Sequence, residues 1–183
     1  MKYFLDTEFI EQPGFMQLIS IGIVAEDGRT FYAENMSFDE REASEWVREN
    51  VLSKLRWWTK RGGCSQAFWR MDKLGSREEK TEVFGTITAI KDVLLRFFNR
   101  DDNFEFWGYY SDYDWVNFSW IFGRMIDLPR GFPKYCRDLK QLLDESGKEK
   151  IPDPTNEHNA LADALWNKRL YEYLTGGLND ETG

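Results

Sequence analysis

The chain has 183 residues and a net charge of −8; 42% of it is hydrophobic and 16% aromatic, with Phe 14, Tyr 8 and Trp 8. That length suits one domain with its own core, and the acidic balance argues against a protein that coats long nucleic acid through its overall field. No apolar run approaches the roughly 20 residues of a membrane helix, Lys2 leads directly into strand-like residues rather than a secretory leader, and Cys64 and Cys136 lack metal-ligand spacing, so a reducing cytoplasm is the expected compartment.

In chain order, residues 2–6 read as a short buried strand and 17–25 as a second, more apolar one. Asp27-Gly28 is a hairpin turn signal, and Arg29 to Glu34 should return antiparallel. Asp39 is placed to cap a helix running through Trp46 and Val47 to about Leu52. Residues 53–75, with Gly62-Gly63 and Gly75, show no clear period and read as a long excursion. Ser76-Arg77-Glu78-Glu79 has capping-box spacing and predicts a helix through Val83, Ile87, Ile90, Leu94 and Phe97. Phe104 to Tyr109 is a further strand, and Asp112 to about Arg124 a helix. Pro129 and Pro133 mark a loop before a helix from Arg137 to Glu145; the last helix runs from near His158 to about Leu174. A hairpin-led sheet followed by alternating strands and helices predicts a single α/β domain with a mixed sheet over residues 1–175, an excursion at about 53–78 and a polar tail at 176–183.

The charge is uneven. Between Arg56 and Arg77 lie Arg56, Lys60, Arg61, Arg70, Lys73 and Arg77 against Asp72 alone, so this segment carries +5 and leaves −13 on the rest of a chain totalling −8. Trp57, Trp58, Phe68 and Trp69 are interleaved with those cations. That composition fits a surface that stacks bases and tracks phosphates, with Arg56, Lys60 and Arg61 as substrate-binding candidates. It fits equally a lid whose aromatics pack on the domain or on a second subunit.

Three clusters could carry chemistry. In Asp6-Thr7-Glu8 the two acids emerge on one face of a strand, where they repel unless a hard cation such as Mg²⁺ or Mn²⁺ lies between them. The alternative is a strand end whose acids point into solvent. Ser111-Asp112-Tyr113-Asp114 follows a sheet strand, so Asp114, with Asp112 in reserve, is placed to join the first pair. Ser111 and Asp114 also have capping-box spacing, and the sequence leaves both readings open. His158, the only histidine, stands five residues before Asp163. In one regular helix their side chains would lie about 140° apart, so they converge only if His158 sits in the loop or first turn. Pro152, Pro154 and Thr155-Asn156 make that transition plausible, and a loop imidazole is suited to general-base work near neutral pH.

Asp-x-Glu on the first strand, an Asp after a later strand, and His-x-Ala-x-x-Asp near the last helix resemble the DEDDh 3′–5′ exonuclease superfamily, at Asp6, Glu8, Asp114, His158 and Asp163. The stretches Tyr3 to Glu11, Leu18 to Arg29 and Trp46-Val47-Arg48 are similar, more narrowly, to the small mycobacterial-type adenylate-preferring 3′–5′ exoribonucleases. The similarity covers most of the chain and weakens between about Lys54 and Phe84. It implies a ribonuclease H-like mixed sheet flanked by helices, and two Mg²⁺ or Mn²⁺ ions per site. Asp6 would bridge the ions, Glu8 and Asp163 would hold one, Asp114 would support the other, and His158 would take the proton of the attacking water. Hydrolysis of single-stranded RNA from the 3′ end would release nucleoside 5′-monophosphates. Phe9 and Ile10 would pack against the terminal base, or else into the core. A homodimer is implied by the resemblance alone. The rival readings are a DNA-directed 3′–5′ exonuclease, a non-catalytic nucleic-acid-binding module on the same fold, and a plain interaction domain.

Overall fold

A computed structural model describes residues 1–58, 67–76 and 78–177. β1 (Lys2–Gln12) and β2 (Phe15–Ala25) form a hairpin through Gly14, whose φ of 78° suits a residue without a side chain. β3 (Thr30–Asn35) returns antiparallel to β2 across Asp27-Gly28, as the turn signal predicted. β1 is twice as long as expected, so Asp6 and Glu8 lie in the middle of a strand and not at its end.

After β3, residues 36–58 cross one face of the sheet. Asp39 does act as an N-cap, but of a 3₁₀ turn at Glu40–Glu42; the helix α1 (Glu45–Asn50) takes its own cap from Ser44. A second 3₁₀ turn, Leu52–Lys54, follows. Within the predicted excursion lies an edge strand, β4 (Phe68–Asp72), largely exposed and only five residues long.

The helix predicted from Ser76 is a correction. Residues Lys80–Gly85 form strand β5, parallel to β3 and antiparallel to β4. Thr81, Val83 and Phe84 are buried there, and β-branched and aromatic residues suit a strand covered on both faces. The capping-box pattern closes a loop instead: the buried Glu79 carboxylate accepts from the Gly75 N–H at 2.7 Å and pairs with Arg100 at 3.0 Å. The helix itself, α2 (Ile87–Phe98), begins one strand later with Thr86 as its cap.

β6 (Glu105–Gly108) and α3 (Asp112–Phe122) follow, then a two-residue strand β7 (Arg137–Asp138), α4 (Leu139–Ser146) and α5 (Ala160–Leu174). Seven strands of the described residues lie in the order β4-β5-β3-β2-β1-β6-β7, with β1, β3, β5, β6 and β7 running one way. This is the α/β mixed sheet flanked by helices that the sequence predicted. On one face Tyr3, Leu5, Ile21 and Phe106 pack under α2 and α3 with Leu94, Phe97, Trp115 and Phe118. On the other, Phe4, Val24 and Trp107 meet Leu139, Ala164, Trp166 and Leu170 of α4 and α5. Strand alternation thus places Asp6 and Glu8 on the α5 side, in line with Phe4.

Gly22 decides how closely α5 approaches. It lies opposite Asp6 in the β1–β2 register, and a Cβ built on it would come within 2.2 Å of the Ala160 carbonyl oxygen and 2.5 Å of the Leu161 Cα. Only a bare strand backbone admits the helix start at this distance.

Candidate active site

β6 pairs with β1 only from Lys2 to Phe4, so the β1 edge beyond that point has lost its neighbour. Buried backbone groups there need other partners. The Leu5 carbonyl accepts from the Asn167 Nδ2 of α5 at 2.9 Å. The Thr7 N–H donates to Asp114 Oδ1 at 2.9 Å, and the Thr7 hydroxyl donates to the same oxygen at 2.6 Å. Asp114 therefore faces the first strand from the start of α3. Ser111 makes no side-chain cap bond to that helix; its N–H and hydroxyl instead donate to Asp138.

From the other side, α5 delivers Asp163. Asn159 caps the helix through the Ala162 N–H, and the Asp163 carboxylate accepts the Asn159 N–H at 3.1 Å. His158 precedes the cap with φ at 60°, outside the helix, which is the arrangement that lets it share a site with Asp163. One carboxylate oxygen each from Asp6, Glu8 and Asp163 lie within 4.8 Å of one another. Asp6, Glu8, Asp114, His158 and Asp163 all line one cleft of about 390 Å³, together with Thr7, Phe9, Lys150, Trp166 and Asn167. A β-bulge at Glu8/Phe9 sits beside it, a common device for re-aiming side chains at a site.

Four carboxylates in partly dry surroundings resist ionisation. Burial, then the charges of Asp114, Glu8 and Asp163, hold the Asp6 proton well above the ordinary range. Burial, then Asp163 and Asp114, push Glu8 up to about 8 against the pull of Lys54. Burial lifts Asp114 to about 7 although the two Thr7 donors favour its charged form. Asp163 rises to about 6, also through burial, opposed by the backbone N–H groups of Asn159 and His158. The folded protein therefore holds protons that the unfolded chain releases near pH 4, and metal-free stability should fall as pH rises through roughly 4 to 8. Urea midpoints in EDTA at pH 5 and pH 8 check this: the pH 8 value should be lower, and the difference smaller in Glu8→Gln. A midpoint that climbs with pH would contradict it.

Comparisons with known proteins place the chain in a family. The family described as the 3′-5′ exoribonuclease Rv2179c-like domain matches residues 1–175. The chain belongs to that family. It is 36% identical over 184 residues to the 3′-5′ exoribonuclease Rv2179c of Mycobacterium tuberculosis (strain ATCC 25618 / H37Rv), covering 100% of this chain and 97% of that one. The 3′-5′ exoribonuclease MT2234.1 of M. tuberculosis (strain CDC 1551 / Oshkosh) matches to the same extent. A chain from a structure of the yeast NOT1 MIF4G domain co-crystallised with CAF1 superposes with a TM-score of 0.44 and 14% identity over 96% of this chain and 80% of that one, too loose a likeness to bear on function. Membership in the Rv2179c-like family makes this chain an enzyme, a hydrolase of phosphodiester bonds.

The other predicted binding residues are scattered. Phe9 borders the cleft and packs against Tyr113 with ring centroids 5.9 Å apart. Ile10 is 2% exposed and packs among Ile19, Val51 and Phe84, so the core reading describes it and the base-packing one does not. Arg56 is not among the residues lining this cleft; it pairs with the buried Glu82, which also binds Arg70, and lies over the Tyr32 ring. Lys60 and Arg61 lie outside the described residues. Within the basic segment Trp58 is buried against Phe38, as a packing lid would require, while Trp69 stays half exposed.

Two contributors escaped the sequence reading. Asn167 stands one turn beyond Asp163 on α5, and that i, i+4 spacing of polar residues on a helix was a usable signal. Lys54 left none. Its charge favours the ionised forms of Glu8 and Asp163 from a segment whose path only the fold reveals. Among the described residues no helix is long and apolar enough to cross a membrane.

Proposed function

We propose that the chain is a divalent-cation-dependent exoribonuclease that removes nucleoside 5′-monophosphates one at a time from the 3′ end of single-stranded RNA. The observation that carries this reading is the triangle of Asp6, Glu8 and Asp163 oxygens beside Asp114, in a cleft rimmed by the only histidine of the chain. Crowded carboxylates with raised proton affinity are an all-oxygen donor set in need of positive charge, which fits Mg²⁺ or Mn²⁺. Asp6, Glu8 and Asp163 would hold one ion, and Asp6 with Asp114 a second. When bound, such a pair stabilises the attacking and leaving oxygens of an in-line displacement.

The remaining work falls to side chains. His158 takes the proton of the attacking water, the role for which an imidazole at a cleft rim is suited. Thr7 fixes Asp114, and the N–H groups at the start of α5 fix Asp163, so neither carboxylate must reorganise during the reaction. Phe9, paired with Tyr113 at the cleft edge, offers the terminal base an aromatic face. The cytoplasm remains part of this reading, since the cysteine spacing suggests neither a disulfide framework nor a metal site.

The test is a 5′-labelled single-stranded RNA, with DNA of the same sequence, incubated with Mg²⁺, Mn²⁺ or EDTA. A ladder that shortens from the 3′ end with either metal and stops in EDTA is expected, and the DNA lane reads out the sugar preference. Intact RNA under every metal condition, from protein shown to be folded, would overturn the proposal.

A further inference from the structure

His158 leaves the backbone in the left-handed region, which a side chain disfavours, immediately before the cap of α5. The residues leading to it, Pro152 to Glu157, are mostly exposed. The Asp163 carboxylate holds the His158 backbone N–H, which leaves the ring itself to be oriented. Two side chains from a distant segment approach this stretch. The Trp46 ring meets the His158 ring nearly edge to face, with centroids 4.8 Å apart and planes at 79°. The Lys54 ammonium donates to the Glu157 carbonyl, one residue before His158.

Trp46 and Lys54 both belong to a strap, residues 36–58, that follows β3 and is fastened to the sheet. Val51, Leu52, Leu55 and Trp58 are buried against Ile10, Ile19 and Phe84. The N–H groups of Arg56, Trp57 and Trp58 all donate to Glu34, a carboxylate of β3 with no exposed surface. Trp46 itself is 54% exposed, so its contact with His158 is not a by-product of core packing. A strap anchored in this way presents one aromatic ring to the imidazole and one cation to the loop beneath it.

We propose that Trp46 is a positioning residue for His158: the strap orients the imidazole through the Trp46 ring, and Lys54 pins the loop that carries it. The proposal rests on the reading of His158 as the proton acceptor. Edge-to-face aromatic contacts prefer a defined geometry, and a reacting group displaced by about 1 Å can cost on the order of 100-fold in rate.

Because His158 is the sole histidine, its Hε1 resonance is unambiguous in a proton NMR spectrum of the full chain. Wild type, Trp46→Leu, Trp46→Phe, Lys54→Met and His158→Ala are compared in that spectrum, where the ring is present, and in steady-state kinetics on the labelled RNA, after melting curves establish folding. Trp46→Leu should lower kcat about tenfold with KM within about twofold, and should move the Hε1 resonance. Trp46→Phe should recover most of the kcat, since an aromatic edge is restored. Lys54→Met should broaden the resonance as the loop is released, which keeps the idea testable if Trp46→Leu does not fold. A Trp46→Leu enzyme with wild-type kcat, beside an inactive His158→Ala, would overturn the positioning role alone. So would a loss confined to KM with the resonance unmoved, which would make Trp46 an RNA contact. Full activity in His158→Ala would overturn the positioning role and the reading beneath it together.

Discussion

Replacing Asp6 with asparagine should raise the melting temperature of the metal-free protein while removing its hydrolytic activity. The two effects have one origin. Asp6 lies among Glu8, Asp114 and Asp163, each of which raises the energy of its charged form. An amide of the same shape never ionises, so folding no longer has to keep that proton bound or bury that charge. At pH 8 in EDTA that relief should show as a rise of the melting temperature, each kcal/mol being worth about 2–4 °C in a chain of this size. The same amide is a poor ligand for a hard cation, and hydrolysis should fall by at least about 10³-fold. Melting curves with and without Mg²⁺ close the argument, since the wild type should gain more from the ion than the variant does. A lower melting temperature for Asp6→Asn in EDTA would make Asp6 a structural residue and sink this account of the cleft.

Gly22→Ala is expected to damage the enzyme by a wholly different route. The added Cβ would stand 2.2 Å from the Ala160 carbonyl oxygen and 2.4 Å from its carbon, both backbone atoms at the start of α5. No side chain can rotate aside to relieve that contact, so the helix start must lift from the sheet. Overpacking of this kind costs about 1–3 kcal/mol of stability. The larger effect is on catalysis, because α5 carries Asp163 and follows His158, and Gly22 pairs with Asp6 itself. Moving the helix separates the carboxylate of α5 from those of β1, and activity should drop by roughly 100-fold or more. The variant should also lose part of its stabilisation by Mg²⁺. Wild-type kinetics in Gly22→Ala would mean that the strand–helix approach does not set the geometry of the site.

Several elements could be read from the chain because their signals are local. The alternation of a strand puts Asp6 and Glu8 on one face wherever the strand ends, and the hairpin signal at Asp27-Gly28 needs no knowledge of the fold. The helix α5 lies close to its predicted place, and α2 keeps only the later part of the helix predicted from Ser76. Reading failed where two local patterns competed. Ser76 to Glu79 has the spacing of a helix start, yet Lys80–Gly85 become a strand because β3 offers a parallel partner and the residues from Thr81 on are buried. A capping box is a contest among four neighbouring residues; a parallel pairing is decided by residues about 50 positions away, and it wins by burying Val83 and Phe84.

The sequence by itself determined that this is an α/β domain with an acidic pair on its first strand and a lone histidine before its last helix. It also carried the resemblance that the family match bears out. Tertiary structure alone decided what those residues meet. Asp114 turns toward Thr7 because β6 stops pairing at Phe4 and leaves that N–H without a neighbour. Asp163 reaches Asp6 and Glu8 because Gly22 lets a helix lie on bare backbone. His158 meets the Trp46 ring, and Lys54 bonds the Glu157 carbonyl before it, both from more than 100 residues earlier. Each is a matter of distance between segments far apart in the chain, and no local pattern of side chains records it.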